Sequence, residues 1–214
     1  MVVFRYNSAS AQFEEQATLL GFVELEDIKT FEVEGAFYLA TASQDASVTT
    51  RVYKLSGTGT WQPHQTIPQP FTSYDLAPFT MQGETYLVAL MYAQTSALGR
   101  TTTNRIYKWD AAQDQFRSWR TFPGLGSADA EVFQIDGATY MTLADFGDNT
   151  SPPQKLYQVT PFGLNVVQTW TNVGQYDDME YFQWKGQHFL MHGVFAFNTN
   201  TASNSVLYKA TPCL

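Results

Sequence analysis

Three observations on this 214-residue sequence predict an all-β fold, a β-propeller of four-stranded antiparallel blades. One pattern recurs four times, about every 50 residues. Each copy opens a series of short apolar runs separated by turn residues. No segment carries a sustained helical period, and Gly, Pro, Ser, Thr and Asn punctuate the chain throughout. Four short strands in a unit of about 50 residues is the spacing of propeller blades.

Taken in order, residues 1–20 form a partial unit, VVFRY then FEEQATL, that matches the third and fourth runs of the later repeats. The first run of each full unit follows in DIKTFEVEG (27–35), DLAPFTMQG (75–83), DAEVFQIDG (129–137) and DMEYFQWKG (178–186). These align without gaps, with Asp at the first position, Phe at the fifth and Gly at the ninth. With a period of two, Asp27, Lys29, Phe31 and Val33 share one face, and Ile28, Thr30, Glu32 and Glu34 share the other. Phe31, Phe79, Phe133 and Phe182 are therefore predicted to fill one equivalent buried position. A second apolar run starts directly after each glycine, so Gly35, Gly83, Gly137 and Gly186 mark tight hairpins with positive φ.

The second runs are AFYLATA, ETYLVAL, ATYMTLA and QHFLMHG, each followed by a variable polar loop. Third runs contain VYKL, IYKW, LYQV and VLYK; fourth runs are WQPHQTI, FRSWRTF and LNVVQTW. The strand tally is two, then three sets of four, then three. One domain over residues 1–214 is predicted, with repeats starting near 27, 75, 129 and 178. Its four blades close when FEEQATL completes the last blade beside VLYK. One third-type strand is then surplus, and strand exchange in a homo-oligomer is the alternative.

Composition narrows the partners. A formal net charge of −8, from 12 Lys and Arg against 20 Asp and Glu, leaves no basic patch to neutralise a phosphate backbone, so nucleic acid is excluded. The same balance suits a cation or a basic partner. Cys213 is the single cysteine, so no internal disulfide forms. No window approaches the roughly 18 apolar residues of a membrane helix, and MVVFRYNSASAQF lacks the basic start and apolar run of a signal peptide.

The pattern D-x-x-x-F-x-x-x-G, then a Y-L or F-L strand, a loop, V-Y-K and F/W-x-x-x-Q-x-[IFW], resembles the epilepsy-associated repeat, or epitempin repeat. That repeat occurs in the leucine-rich glioma-inactivated proteins and in thrombospondin-type ectodomain proteins. The resemblance covers essentially the whole chain. It implies a β-propeller that binds other proteins at the cell surface, an extracellular location, no catalytic apparatus, and acidic residues along the axis able to hold a metal ion. The matching positions here are Asp27, Asp75, Asp129 and Asp178.

In a propeller the first strand of each blade lines the central channel, so those four aspartates are expected to gather near one mouth. Carboxylates about 6 Å apart repel by roughly 3 kcal/mol at an effective dielectric near 20. A bound cation, protonation or backbone N–H donors must offset this. Ca²⁺ fits best among cations because it accepts many oxygens in adaptable geometry. The competing reading has each Asp accept a hydrogen bond from the next blade's backbone, pinning adjacent blades. Glu26, Tyr74 and Asp177 each precede one of these aspartates and are weak candidates for ligand contact at the same mouth.

Other signals carry less. DFG in ADFGDN (144–149) lacks the rest of a kinase signature, and Asp145, Asp148 and Asn149 read better as a polar hairpin than as a calcium loop. His188 and His192 lie about 13 Å apart along a strand, too far to share a metal. Asn149-Thr150-Ser151 is a glycosylation acceptor only in a secreted chain. Trp61, Trp109, Trp119, Trp170 and Trp184 occupy different columns of the repeat, as blade-packing aromatics do. The function expected is a non-catalytic recognition module for a protein partner, with a carbohydrate-binding lectin as the alternative.

Overall fold

The computed structural model describes residues 1–19, 24–44, 50–68, 72–92, 101–147, 152–171, 175–195 and 205–210. Strands β1 (Val2–Asn7) and β2 (Gln12–Thr18) pair antiparallel as a sheet of their own. Three four-stranded sheets follow in chain order. The first holds β3 (Leu25–Val33), β4 (Ala36–Ser43), β5 (Thr50–Leu55) and β6 (Trp61–Ile67). The second holds β7 (Thr72–Met81), β8 (Glu84–Tyr92), β9 (Thr101–Asp110) and β10 (Gln115–Leu125). The third holds β11 (Ser127–Ile135), β12 (Ala138–Asp145), β13 (Gln154–Thr160) and β14 (Gly163–Trp170). A last sheet holds β15 (Gln175–Trp184), β16 (Gln187–Phe195) and β17 (Val206–Lys209). No helix among the described residues is long and apolar enough to cross a membrane.

Two-residue loops join the first two strands of every full unit, pairing Val33 with Ala36, Met81 with Glu84, Ile135 with Ala138 and Trp184 with Gln187. Both loop residues have positive φ, for example Glu34 at 51° and Gly35 at 78°. This is the primed turn whose twist matches the flanking strands. The glycine was legible in the sequence. The non-glycine residue before it, also left-handed, was not.

Register then repeats one aromatic pair per blade: Phe31 opposite Tyr38, Phe79 opposite Tyr86, Phe133 opposite Tyr140 and Phe182 opposite Phe189. Their rings stack with centroids 5.6, 5.0, 5.9 and 5.2 Å apart. Aromatic pairs of this kind contribute about 0.5–1.5 kcal/mol beyond the area they bury. The first and third pairs meet rings of the following blade, Phe31 against Phe116 and Phe133 stacked on Tyr181 at 4.3 Å, while Tyr86 meets Trp119 of its own blade. The cores therefore lie between sheets. One joins Tyr38 and Val52 to Leu87, Tyr107 and Trp109; another joins Tyr86 and Ile106 to Met141 and Tyr157; a smaller one joins Phe133 and Trp170 to Leu190.

First strands pack in succession, β3 on β7, β7 on β11 and β11 on β15, so they form the inner row. The closure expected from the sequence is not what forms. The tally of two, four, four, four and three strands holds, but the pieces make five sheets, and β2 pairs with β1 instead of β17. Among the described residues β15 makes no packing on β3 comparable to the other inner contacts. Phe182 is consequently 38% exposed instead of buried, because no following sheet covers it. The reason is positional: the column is buried by its successor, and the last copy has none.

Candidate functional site

Each inner strand carries a register shift at its aspartate. The irregularities fall between Leu25 and Asp27, Ser73 and Leu76, Ser127 and Asp129, and Tyr176 and Asp178. A bulge bends the strand and re-aims the side chain beside it. Here it turns the carboxylate toward the next sheet. Asp27 Oδ2 accepts the Leu76 N–H at 3.1 Å, Asp75 Oδ2 accepts the Ala130 N–H at 3.0 Å, and Asp129 Oδ2 accepts the Met179 N–H at 2.9 Å. Asp178, on the last inner strand, is exposed and has no such acceptor role among the described residues. The blade-pinning arrangement is thus realised three times.

The second oxygens meet a lysine. Lys29 Nζ lies 3.5 Å from Asp27 Oδ1 and 3.5 Å from Asp75 Oδ1. Burial works against the Lys29 charge, but Asp75, Asp27 and Asp129 outweigh it and raise its pKa. Asp75 is pushed up to about 8 by burial, then by repulsion from Asp129 and Asp27, with Lys29 opposing. A hydrogen bond joins the Asp75 and Asp27 carboxyls.

Asp129 is pushed up to about 6, chiefly by burial and against the Met179 N–H. Among the described residues no group of three or more His, Cys, Asp or Glu is placed to hold a metal ion. The ammonium of Lys29 stands where two of the four aspartates converge, which is a poor fit for calcium.

The charges of Glu26 and Asp177 both act on Tyr74. The Tyr74 hydroxyl is raised by burial first, then by the charges of Glu26 and Asp177, which come from the first and last inner strands. The Tyr74 ring sits 5.0 Å from that of Tyr92.

The position two residues beyond each aspartate forms a second row along the inner strands: Lys29, Ala77, Glu131 and Glu180. Alternation placed Lys29 on the Asp27 face, and the same count would have found the two glutamates. Glu131 is pushed up to about 7 by burial first, then by repulsion from Glu180 and Asp129, although it accepts the Tyr181 N–H. Glu131 is half-buried and Glu180 is exposed. Two carboxyl groups on adjacent inner strands therefore act on each other, one with its pKa raised to about 7.

Residues discounted from sequence behave as structure. Asp145 accepts the Ser127 hydroxyl at 2.5 Å and the Leu125 N–H at 3.2 Å, in a buried network that continues from Ser127 Oγ to Asn104 Nδ2 at 2.8 Å. Asp148, Asn149, Thr150, Ser151 and Cys213 lie outside the described residues. The Tyr181 hydroxyl and His188 Nδ1 are 2.6 Å apart, whereas His192 is fully buried and unpartnered, its pKa lowered to about 4 by burial. Trp109, Trp119 and Trp170 pack between blades; Trp184 is exposed under the Lys185 ammonium.

Solved structures place this fold among the β-propellers. The chain is similar to an exo-β-1,3-galactanase from Phanerochaete chrysosporium, at 13% identity and a TM-score of 0.55, over 92% of this chain and 48% of that one. It is similar to a GH43 β-1,3-galactosidase bound to galactodeoxynojirimycin, at 10% identity and a TM-score of 0.54, over 96% of this chain and 75% of that one. A GH43 β-xylosidase/α-arabinofuranosidase from a compost metagenome gives 14% identity and a TM-score of 0.51, over 98% and 78%. The chain thus spans about half the length of the galactanase. No family model matches the sequence, and no curated protein does.

These neighbours correct the functional expectation. The non-catalytic, protein-binding module read from the repeat is overturned, because the solved propellers to which the chain is similar are glycoside hydrolases. The sequence motifs reported blade construction, and blade construction is common to propellers of very different function.

Proposed function

We propose that the protein acts on carbohydrate, cleaving a glycosidic bond at the channel beside β11 and β15. One observation carries the reading: Glu131, its pKa raised to about 7, stands on the inner strand adjacent to that of the exposed Glu180. A protonated and an ionised carboxyl flanking the bond are the minimal equipment for glycoside hydrolysis. Glu131 donates its proton to the leaving-group oxygen as the C–O bond breaks. Glu180 takes a proton from the water that attacks the anomeric carbon. Asp75 has the higher pKa, about 8, but is buried and committed to the Ala130 N–H, so it serves the scaffold. The glycoside-hydrolase neighbours support the substrate class, and Tyr74 at the mouth offers an aromatic edge to a sugar ring.

A panel of chromogenic galactosides, xylosides and arabinofuranosides tests this. Hydrolysis is expected to fall off above about pH 7 as Glu131 ionises. Glu131→Gln and Glu180→Gln are each expected to lower kcat by about 10²–10⁴-fold with the fold intact. A folded protein inert on the whole panel, or full activity in Glu131→Gln, would overturn the proposal.

A further inference from the structure

In the second and third four-stranded sheets the fourth strand is gripped at or just before its start by the sheet before it. Gln65 on β6 clasps the backbone of Phe116 on β10, its Nε2 donating to the Phe116 carbonyl at 2.9 Å and its Oε1 accepting the Phe116 N–H at 2.8 Å. The Phe116 ring then fills the core between the first two blades, 5.1 Å from Trp109 and 5.6 Å from Phe31. One blade on, Arg120 takes the Gln65 position and donates to the Phe162 carbonyl at 3.4 Å, while Leu164 takes the Phe116 position.

At the next step the grip exists without its strand. Gln168 holds the same position on β14, exposed and with no side-chain hydrogen bond among the described residues. Beside it lies a cavity of about 120 Å³, lined by Phe133, Leu156, Gln168, Tyr181, Leu190 and Tyr208. The last blade ends at β17, whose outer edge carries no strand among the described residues.

The chain holds a strand of the missing type. FEEQATL on β2 aligns with FRSWRTF and LNVVQTW, which puts Phe13 in the Phe116 and Leu164 column. Yet Phe13 is 71% exposed, on a bare two-stranded hairpin of a kind that is marginal in water. The pocket beside Gln168 is lined mainly by aromatic and aliphatic side chains and suits an apolar ring such as that of Phe13. Carrying over the Gln158–Asn165 pairing of β13 and β14 sets Glu14 opposite Lys209, an attractive cross-strand pair. Within its own chain β2 is held at the far end of the row of blades, where Gln16 Nε2 donates to the Gly59 carbonyl at 2.7 Å.

We propose that β2 of a second copy of this chain docks beside β17 as the fourth strand of the last blade, with Phe13 in the cavity and its backbone clasped by Gln168. In doing so β17 takes the place beside β2 that β1 holds in the single chain. The interface is the blade-to-blade contact already made inside the chain, completed between molecules.

Light scattering and sedimentation on the 214-residue protein at tens of micromolar test this. A dimer or larger assembly is expected. Phe13→Glu and Gln168→Ala are expected to weaken it at least about tenfold, while Phe4→Glu on the unused strand leaves it intact. A variant with Cys213→Ser, Glu14→Cys and Lys209→Cys is expected to give disulfide-linked pairs of chains on a non-reducing gel. A single-chain mass throughout, a disulfide formed within one chain, or an assembly indifferent to Phe13→Glu would each overturn the proposal.

Discussion

The Asp75 carboxylate accepts the Ala130 N–H at 3.0 Å, so the bulge that opens one inner strand is fastened to the backbone of the next. The same atom pair recurs on either side, Asp27 with Leu76 and Asp129 with Met179. A polar residue at the start of a core strand is thereby explained: it is a bracket between sheets.

Asp75 makes stability depend on pH. Its carboxyl, ordinarily near 3.8, is pushed up to about 8 by burial, Asp129 and Asp27. A raised folded-state pKa contributes stability that is fully present below the unfolded pKa and lost as pH rises through the folded one. Urea midpoints are expected to fall between pH 4 and pH 8. Asp129 and Glu131, raised to about 6 and about 7, add to the lower part of that fall. Asp75→Asn, which keeps an acceptor for Ala130, is expected to flatten it, most clearly between pH 7 and pH 8. Asp75→Ala leaves the buried N–H unmet and is expected to cost about 1–3 kcal/mol.

Lys29 separates the cation question from the scaffold. With its ammonium 3.5 Å from both carboxylates, calcium is expected to leave the melting temperature of the parent unchanged relative to chelator. Lys29→Met removes that charge, so the variant is expected to melt lower and to recover part of the loss in millimolar calcium. Calorimetry with and without chelator reads both. A calcium-stabilised parent would show that a cation coexists with the lysine.

Gly124 is a site of close approach. A Cβ there would lie 2.4 Å from Asn104 Nδ2 and 2.5 Å from Ser127 Oγ. Gly124→Ala is expected to break the Asn104–Ser127–Asp145 network and to lower stability by about 1–3 kcal/mol in denaturant titrations. Asn104→Ala removes the nearest clash but leaves Ser127 Oγ at 2.5 Å, so Gly124→Ala is expected to cost less in that background without becoming neutral, which a double-mutant cycle measures.

His192 should be replaceable. It is fully buried, unpartnered and lowered to about 4 by burial. Stability from a depressed pKa is present above the ordinary value of 6.5 and lost as pH falls through the folded value. The third blade carries Leu143 at this position. His192→Leu is expected to be neutral or stabilising at pH 7 and to remove the loss between pH 6.5 and pH 4, read by thermal melts across that range.

Strand content, hairpin glycines and the aspartate column were legible because each repeats with a fixed spacing and a physical requirement. The bulges were not: the residues before the aspartates, Glu26, Tyr74, Ala128 and Asp177, share no type that signals an irregular register. Lys29, Glu131 and Glu180 were within reach, since alternation fixes their face, but no motif flagged them. Closure escaped because the partner of β17 is a matter of distant pairing, and VVFRY and VLYK fit the same column equally well. Function was least legible. The column that defines the repeat fastens blades together, whereas the row beside it varies from Lys to Ala to Glu.

The brackets also impose an order in time. Each carboxylate finds its N–H only 49, 55 or 50 residues downstream. During synthesis a finished sheet therefore waits, its acid exposed to solvent, until the following one has been translated. Maturation must sweep from the N-terminus forward, every newcomer securing its elder, and a ribosome stalled between repeats would leave the latest sheet as the loosest part of the nascent chain.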